Sequence, residues 1–320
     1  MSVAPDTPSR EPFAHTALFY RTDEDYLSAL VPFVVDGLAR GDPVAAAVPN
    51  PRALRRALGR DAERVTWIDM REAGRNPGRI ILTVLRRFAD PHPDHHVRII
   101  GEPVWPGRSP VEHPACAQHE ALINLAFAGR DVTIVCPYDV ARLAPDVVAD
   151  ARHTHPLLWS EHSLIPSHHY APTAVVEAHN RELPLDTPAA EYRLTAPTHI
   201  RGARTWATAE AARLGLPPHR LPDLTLIVTE LTTNSLTHGG GHCLLRLHHH
   251  DSHLVCEVHD SGHLSDPLAG RRPVGPTAPG GRGLVLVHQL ADLVHTHRTP
   301  HGTTQYAFLS LHDMVGLSPR

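Results

Sequence analysis

The chain has 320 residues, 42% of them hydrophobic and 5% aromatic, enough for about two globular domains with separate cores. Its formal charge of −4 argues against a nucleic-acid partner, and no apolar run approaches the roughly 20 residues that cross a bilayer. All 30 basic residues are arginine, which excludes P-loop hydrolysis, Schiff-base catalysis and kinase chemistry built on a strand lysine.

From His15 to about Trp159, short apolar strands alternate with amphipathic helices. Strands are expected over 16–20, 43–48, 65–70, 97–101 and 131–136, and helices over 23–40, 51–59, 78–89, 115–129 and 140–150. That alternation predicts a mostly parallel sheet covered on both faces, with ligands outside the carboxyl ends of the strands. Asp69, Glu102 and the run Cys136-Pro137-Tyr138-Asp139 are the polar residues at those ends.

This part, over residues 13–159, resembles the MEDS sensory domain named from the DcmR regulator. The resemblance rests on HTALFYRTDEDYLSALVPFVVDGLARGDPVAAAV, RIIGEPVW, HEALINLAFAGRDVTIVCPYD and HTHPLLW. It implies binding of an unidentified small organic molecule. His15, Tyr20, Glu102, Glu120, Asn124, Cys136, Tyr138 and His155 match the family's recurring polar residues. Each has an ordinary structural alternative: Cys136 behaves well as a small buried hydrophobe, and Glu120 can pair with an arginine.

Residues 160–190 are broken by prolines and read as a linker, with VVEAHNREL a candidate short helix. Twenty-seven histidines invite a metal reading, and the runs at 92–96 and 248–250 are expected at the surface. The second run lies in a hairpin, where alternate side chains point to opposite faces and cannot converge on one ion. The four cysteines are widely spaced and expected reduced, as in a cytoplasmic protein.

LPDLTLIVTELTTNSLTHGGG, 221–241, reads as a helix with Leu224, Ile227, Val228 and Leu231 as its buried stripe. Glu230, Asn234 and His238, four apart, stack in one row at the edge of that stripe. VCEVHDSG then ends an alternating strand on Asp260 and turns on Ser261-Gly262. GGRGLVLVHQLADL opens a second amphipathic helix on Gly280, Gly281 and Gly283, whose unblocked N–H groups suit phosphate. HGTTQYAFLSL turns on glycine into a strand.

In this order the four motifs resemble the ATP-binding module of the GHKL superfamily, in its RsbW-type anti-sigma kinase form, over 191–312. The resemblance implies a Bergerat-type α/β sandwich that binds ATP and Mg²⁺. Asn234 would coordinate Mg²⁺, Glu230 would orient or deprotonate the attacking hydroxyl, and His238 would face the nucleotide from the same row. Asp260 would accept from the adenine amine, and Gly262 would let the backbone approach the base. Gly281, Arg282, Gly283 and Leu284 would hold the phosphates, with Thr303 or Thr304 near the adenine. The segment 263–279 corresponds to a lid, and Arg271 and Arg272 are its candidates for a phosphate contact.

A MEDS sensor before such a module is the arrangement of RsbA-like anti-sigma regulatory proteins. It implies phosphorylation of Ser or Thr on an anti-anti-sigma (STAS-type) partner, sequestration of a sigma factor, or both, and allows a homodimer. No metal beyond nucleotide-bound Mg²⁺ is expected. The alternatives are a sensor histidine kinase and a non-catalytic, ATP-gated binding protein. The first needs a helical hairpin that proline-rich 160–195 does not suggest.

Overall fold

The structure, a computed structural model, describes residues 13–160, 163–185, 187–275 and 281–312. In the first half, β1 (Phe13–Tyr20), α1 (Asp23–Arg40), β2 (Val44–Val48), α2 (Arg52–Leu58), β3 (Thr66–Asp69) and α3 (Met70–Ala73) follow one another closely. They continue into α4 (Pro77–Ile80), α5 (Arg87–Ala89), β4 (Val97–Gly101), α6 (His113–Ala126), β5 (Val132–Asp139), α7 (Pro145–Thr154) and β6 (Leu157–Ser160). Helix α1 shows why its stretch is helical. Thr22 caps it in a box with Asp25, Tyr26, Leu30, Phe33, Val34 and Leu38 form one buried stripe, and left-handed Gly41 ends it.

With β7 (Ser163–Pro166) at its edge, the sheet order is β3-β2-β4-β5-β1-β6-β7, parallel except for its last pair. Strand β5 runs past the expected end at 136 because it stays paired with β1 as far as Tyr20 opposite Asp139. The helix expected over 140–150 begins at Pro145 instead, where proline at the first turn needs no N–H partner. The run expected over 78–89 is helical but widens to π-type turns over Ile81–Arg86.

Part of the segment read as a linker extends the first unit. β7 (Ser163–Pro166) pairs antiparallel with β6, and α8 (Pro172–Ala178) packs on α6 and α7. Val175 and Val176 give the helix its buried side.

The second half is β8 (Ala190–Leu194), α9 (Ile200–Arg213), α10 (Leu221–His238), β9 (Cys243–His250), β10 (His253–Asp260), α11 (Arg282–Leu290), β11 (Leu293–Thr299) and β12 (Gly302–Ser310). Its antiparallel sheet has the order β11-β12-β10-β9-β8. Leu254, Cys256 and Val258 of β10 alternate toward the helices, joining Ala203, Ala207, Leu224, Ile227, Val228 and Leu231 in one core. Val255 points the other way and packs with Leu293, Tyr306 and Phe308 against Ala115 of α6. The first domain therefore covers the second sheet's outer face.

Polar contacts hold this interface. Buried Asn76 donates to the carbonyls of His288 (2.8 Å) and Ala291 (3.3 Å), and Arg75 reaches Asp292 at 3.0 Å. His248 was expected at the surface, but it is 1% exposed and lies 3.3 Å from Glu257. His92–His96 lie at the surface as expected. Among the described residues no helix is long and apolar enough to cross a membrane.

Candidate functional site

Helix α10 buries Leu224, Ile227, Val228 and Leu231 and brings Asn234 and His238 to a cavity of about 380 Å³. That volume lies in the range of small-molecule sites. Asp260, Gly262, Gly281, Gly283, Leu284 and Thr303 border the same space, so all four sequence motifs meet there.

Asp260 ends β10, with both carboxylate oxygens anchored. One accepts from its own turn at Gly262 N (2.8 Å), and the other from the Ser235 hydroxyl of α10 (2.5 Å). Ser235 follows Asn234 directly, and its task of orienting Asp260 has no signature in the sequence. A Cβ on Gly262 would lie 2.6 Å from the His238 carbonyl, so the end of α10 and the turn close on each other only with glycine there.

Thr303, opposite Asp260 in the ladder, donates to the Gly262 carbonyl (2.8 Å) and accepts from Leu264 N (3.2 Å). Thr304 does not border the cavity. Strand alternation turns it to the other side, where it bonds His259 at 2.9 Å. The same alternation brings Gln305 to the cavity, a residue the sequence reading passed over.

The glycine-rich entry to α11 lies over Asn234 and Glu230. A Cβ on Gly283 would sit 2.5 Å from Glu230 Oε2 and 3.4 Å from Asn234 Nδ2. Glu230 does not itself line the cavity; its carboxylate lies under Gly283 at the margin. Gly281, in the left-handed region at φ 90°, caps this helix, while Gly280 and lid positions 276–279 lie outside the described residues.

None of the arginines expected at the phosphates is among the residues bordering this cavity. Arg271 is only 4% exposed and lines a separate small space with Gln118, Leu122 and Val176 of the first domain. Burial, and then the Arg298 charge, lower its pKa to about 10. Arg272 pairs with Asp266 at 2.6 Å, and Arg282 donates to the Gly275 carbonyl at 3.2 Å. The first domain accounts for the change: Leu268, three residues before Arg271, is buried in that domain's core cluster and holds the segment against it.

In the first domain the eight expected sensory residues fall into two groups on opposite faces of the sheet. His15, Cys136 and Tyr138 share one face with Glu120 and Asn124 of α6 and with His155. His15 Nε2 lies 3.2 Å from Glu120 Oε2, His155 Nε2 lies 3.3 Å from the same oxygen, and Cys136 Sγ is 3.5 Å from His15 Nε2.

Tyr20 and Glu102 are on the α1 side, with Tyr26 and the Asp139 charge. Burial, and then Asp139, push the Glu102 carboxyl up to about 8. The unfolded chain releases this proton near 4.5, so from there to about 8 the folded state binds more protons and loses stability as pH rises. Between those pH values the thermal midpoint of wild type is expected to fall relative to Glu102→Gln. Parallel melting profiles for the two proteins would remove the effect.

The second half is a GHKL-type α/β domain docked on a mostly parallel α/β domain. Residues 14–156 match the MEDS family (MEthanogen/methylotroph, DcmR Sensory domain), and residues 194–306 match the histidine kinase-like ATPase domain. The chain thus carries an N-terminal MEDS domain and a C-terminal histidine kinase-like ATPase domain.

No curated protein sequence matches the chain. Among solved structures, it is similar to the SiaB-SiaC complex from Pseudomonas aeruginosa, with 9% identity, 38% of this chain and 88% of that chain covered, and a TM-score of 0.31. It is also similar to the RsbU and RsbW domains of Rv1364c from Mycobacterium tuberculosis, with 14% identity, 63% and 48% covered, and a TM-score of 0.28.

Proposed function

We propose that the C-terminal domain binds ATP with Mg²⁺ and passes the γ-phosphoryl group to a serine or threonine of a STAS-type anti-anti-sigma protein. Sequestration of a sigma factor by the same domain accompanies or replaces that transfer, and a small molecule bound by the MEDS domain controls the outcome. Such a chain works in the cytoplasm. The observation that carries this reading is the shared cavity, to which Asn234, Asp260 and Gly283 come from three separate segments.

The chemistry of each wall fits the nucleotide. The adenine amine is a donor and Asp260 an ionised acceptor, held in place by Ser235 and Gly262. N–H groups at the start of α11 present the positive end of a helix to the phosphates. Mg²⁺ bound at the Asn234 carboxamide would neutralise charge as it develops on the phosphates. Glu230, beside Asn234 and under Gly283, positions the incoming hydroxyl and takes its proton.

Control has a physical route. The segment 264–272 borders the nucleotide cavity through Leu264 and Asp266 and the interdomain space through Arg271. A shift of α6 in the MEDS domain, or of α8 packed on it, therefore reaches the edge of the ATP site. A sensor histidine kinase would need a phosphoacceptor hairpin here, but the described residues between 163 and 185 hold strand β7 and the seven-residue α8.

The test is to capture the partner with the full chain and add γ-labelled ATP. Acid-stable label on a partner serine or threonine is expected. Acid-labile label on the protein itself would point to a histidine kinase, and binding without transfer to a clamp.

A further inference from the structure

We propose that His15, Glu120, Cys136 and His155 form a buried binding site for one divalent cation of the zinc class, held by four protein ligands. This inference is independent of the nucleotide chemistry. The four residues come from β1, α6, β5 and the turn between α7 and β6, and each is 0–1% exposed. One donor atom from each lies within 4.8 Å of every other.

The direction of the ring protons is the first argument. Asn124 Nδ2 donates to the Thr154 carbonyl at 2.8 Å and to Ala121 at 3.1 Å, which leaves its Oδ1 as an acceptor. His15 Nδ1, 3.2 Å from that oxygen, must therefore be the N–H. His155 Nδ1 lies 2.9 Å from the Ala151 carbonyl, a pure acceptor, and 3.0 Å from the Thr154 hydroxyl, whose own proton goes to the Asp150 carbonyl at 3.0 Å, so it too is the N–H. In neutral rings both Nε2 lone pairs then point at the Glu120 carboxylate. Metal-bound histidines are oriented in this way, through a hydrogen bond on the far nitrogen.

The distances give the second argument. A charge-assisted imidazolium–carboxylate bond contracts to about 2.7–2.9 Å. Neighbouring ligands around a tetrahedral ion with bonds of about 2.0–2.3 Å stand about 3.3–3.7 Å apart. The contacts here are 3.2, 3.3 and 3.5 Å. No hydrogen bond of acceptable geometry reaches His155 Nε2 or Glu120 Oε1, although both are shut off from water.

Charge is the third argument. A doubly charged ion that displaces the thiol proton balances one thiolate and one carboxylate, with two neutral imidazoles completing the set. Thiol, imidazole and carboxylate with no open position match a closed zinc site.

The experiment uses the full chain, stripped with chelator, loaded with Zn²⁺ or Co²⁺ and passed through gel filtration. Wild type is expected to retain one Zn²⁺ that raises its melting temperature. With Co²⁺ it is expected to show the near-ultraviolet thiolate-to-cobalt absorption of a tetrahedral site. Cys136→Ser should lose that band, and Glu120→Gln should bind the metal about ten-fold or more weakly.

His113→Ala should keep the band, because the more exposed cluster His113, Asp150 and His179 contains no sulfur. The proposal fails if folded wild type gives no thiolate band, or if the band survives in Cys136→Ser. The wild-type spectrum decides even if a variant fails to fold.

Discussion

Glu230→Gln is expected to retain Mg–ATP and lose phosphoryl transfer by about 10²- to 10⁴-fold, the usual contribution of a positioned base. The carboxylate lies outside the cavity wall, under Gly283, so removing its charge leaves the Asp260, Ser235 and Gly262 contacts intact. Glutamine keeps the volume beneath Gly283, which separates loss of the base from collapse of the helix entry. Single-turnover transfer and nucleotide titration on the same protein give the two readings. Transfer at the wild-type rate would refute the role assigned to Glu230.

Asp260→Asn is expected to weaken ATP by about 10- to 150-fold, corresponding to roughly 1.5–3 kcal/mol for a hydrogen bond to a charged acceptor. Asparagine can still accept from Gly262 and meet Ser235, so the turn survives. An amide nitrogen replaces one acceptor oxygen, and the adenine amine loses its charged partner. Asp260→Ala is a harsher change, because it leaves the buried Ser235 hydroxyl and the Gly262 N–H without an acceptor. Calorimetric titration with ATP and with GTP separates loss of adenine recognition from a general loss of binding. An unchanged affinity for ATP would contradict the assigned contact.

Much of this site was legible because its signals are local. The Glu230–Asn234–His238 row follows from the turn of one helix, and the end of β10 at Asp260 from alternation and an Asx turn. The parallel sheet of the first domain followed from alternating strands and helices, and its strands and helices fall near their expected places.

What the sequence did not show depends on contacts between distant segments. Arg271 has the composition of a lid cation, yet the first domain takes up that segment through Leu268. His248 lies in a run that looks solvated and is buried. The tyrosine and carboxylate at 20 and 102 share a family pattern with His15, and strand alternation puts them on the other face. Cys136 and His15 are separated by 121 positions and lie 3.5 Å apart, a proximity that only the pairing of β1 with β5 creates. Ser235 could not be recognised as the anchor of Asp260 until the two elements were placed side by side.

In the proposed function the four motifs enclose one magnesium-bound adenine nucleotide. A crystal structure of the full chain with Mg²⁺ and a non-hydrolysable ATP analogue tests it most directly. The adenine amine is expected on Asp260, the metal at Asn234 and the phosphates against the first turn of α11. An analogue bound elsewhere, with this cavity left empty at saturating ligand, would contradict it.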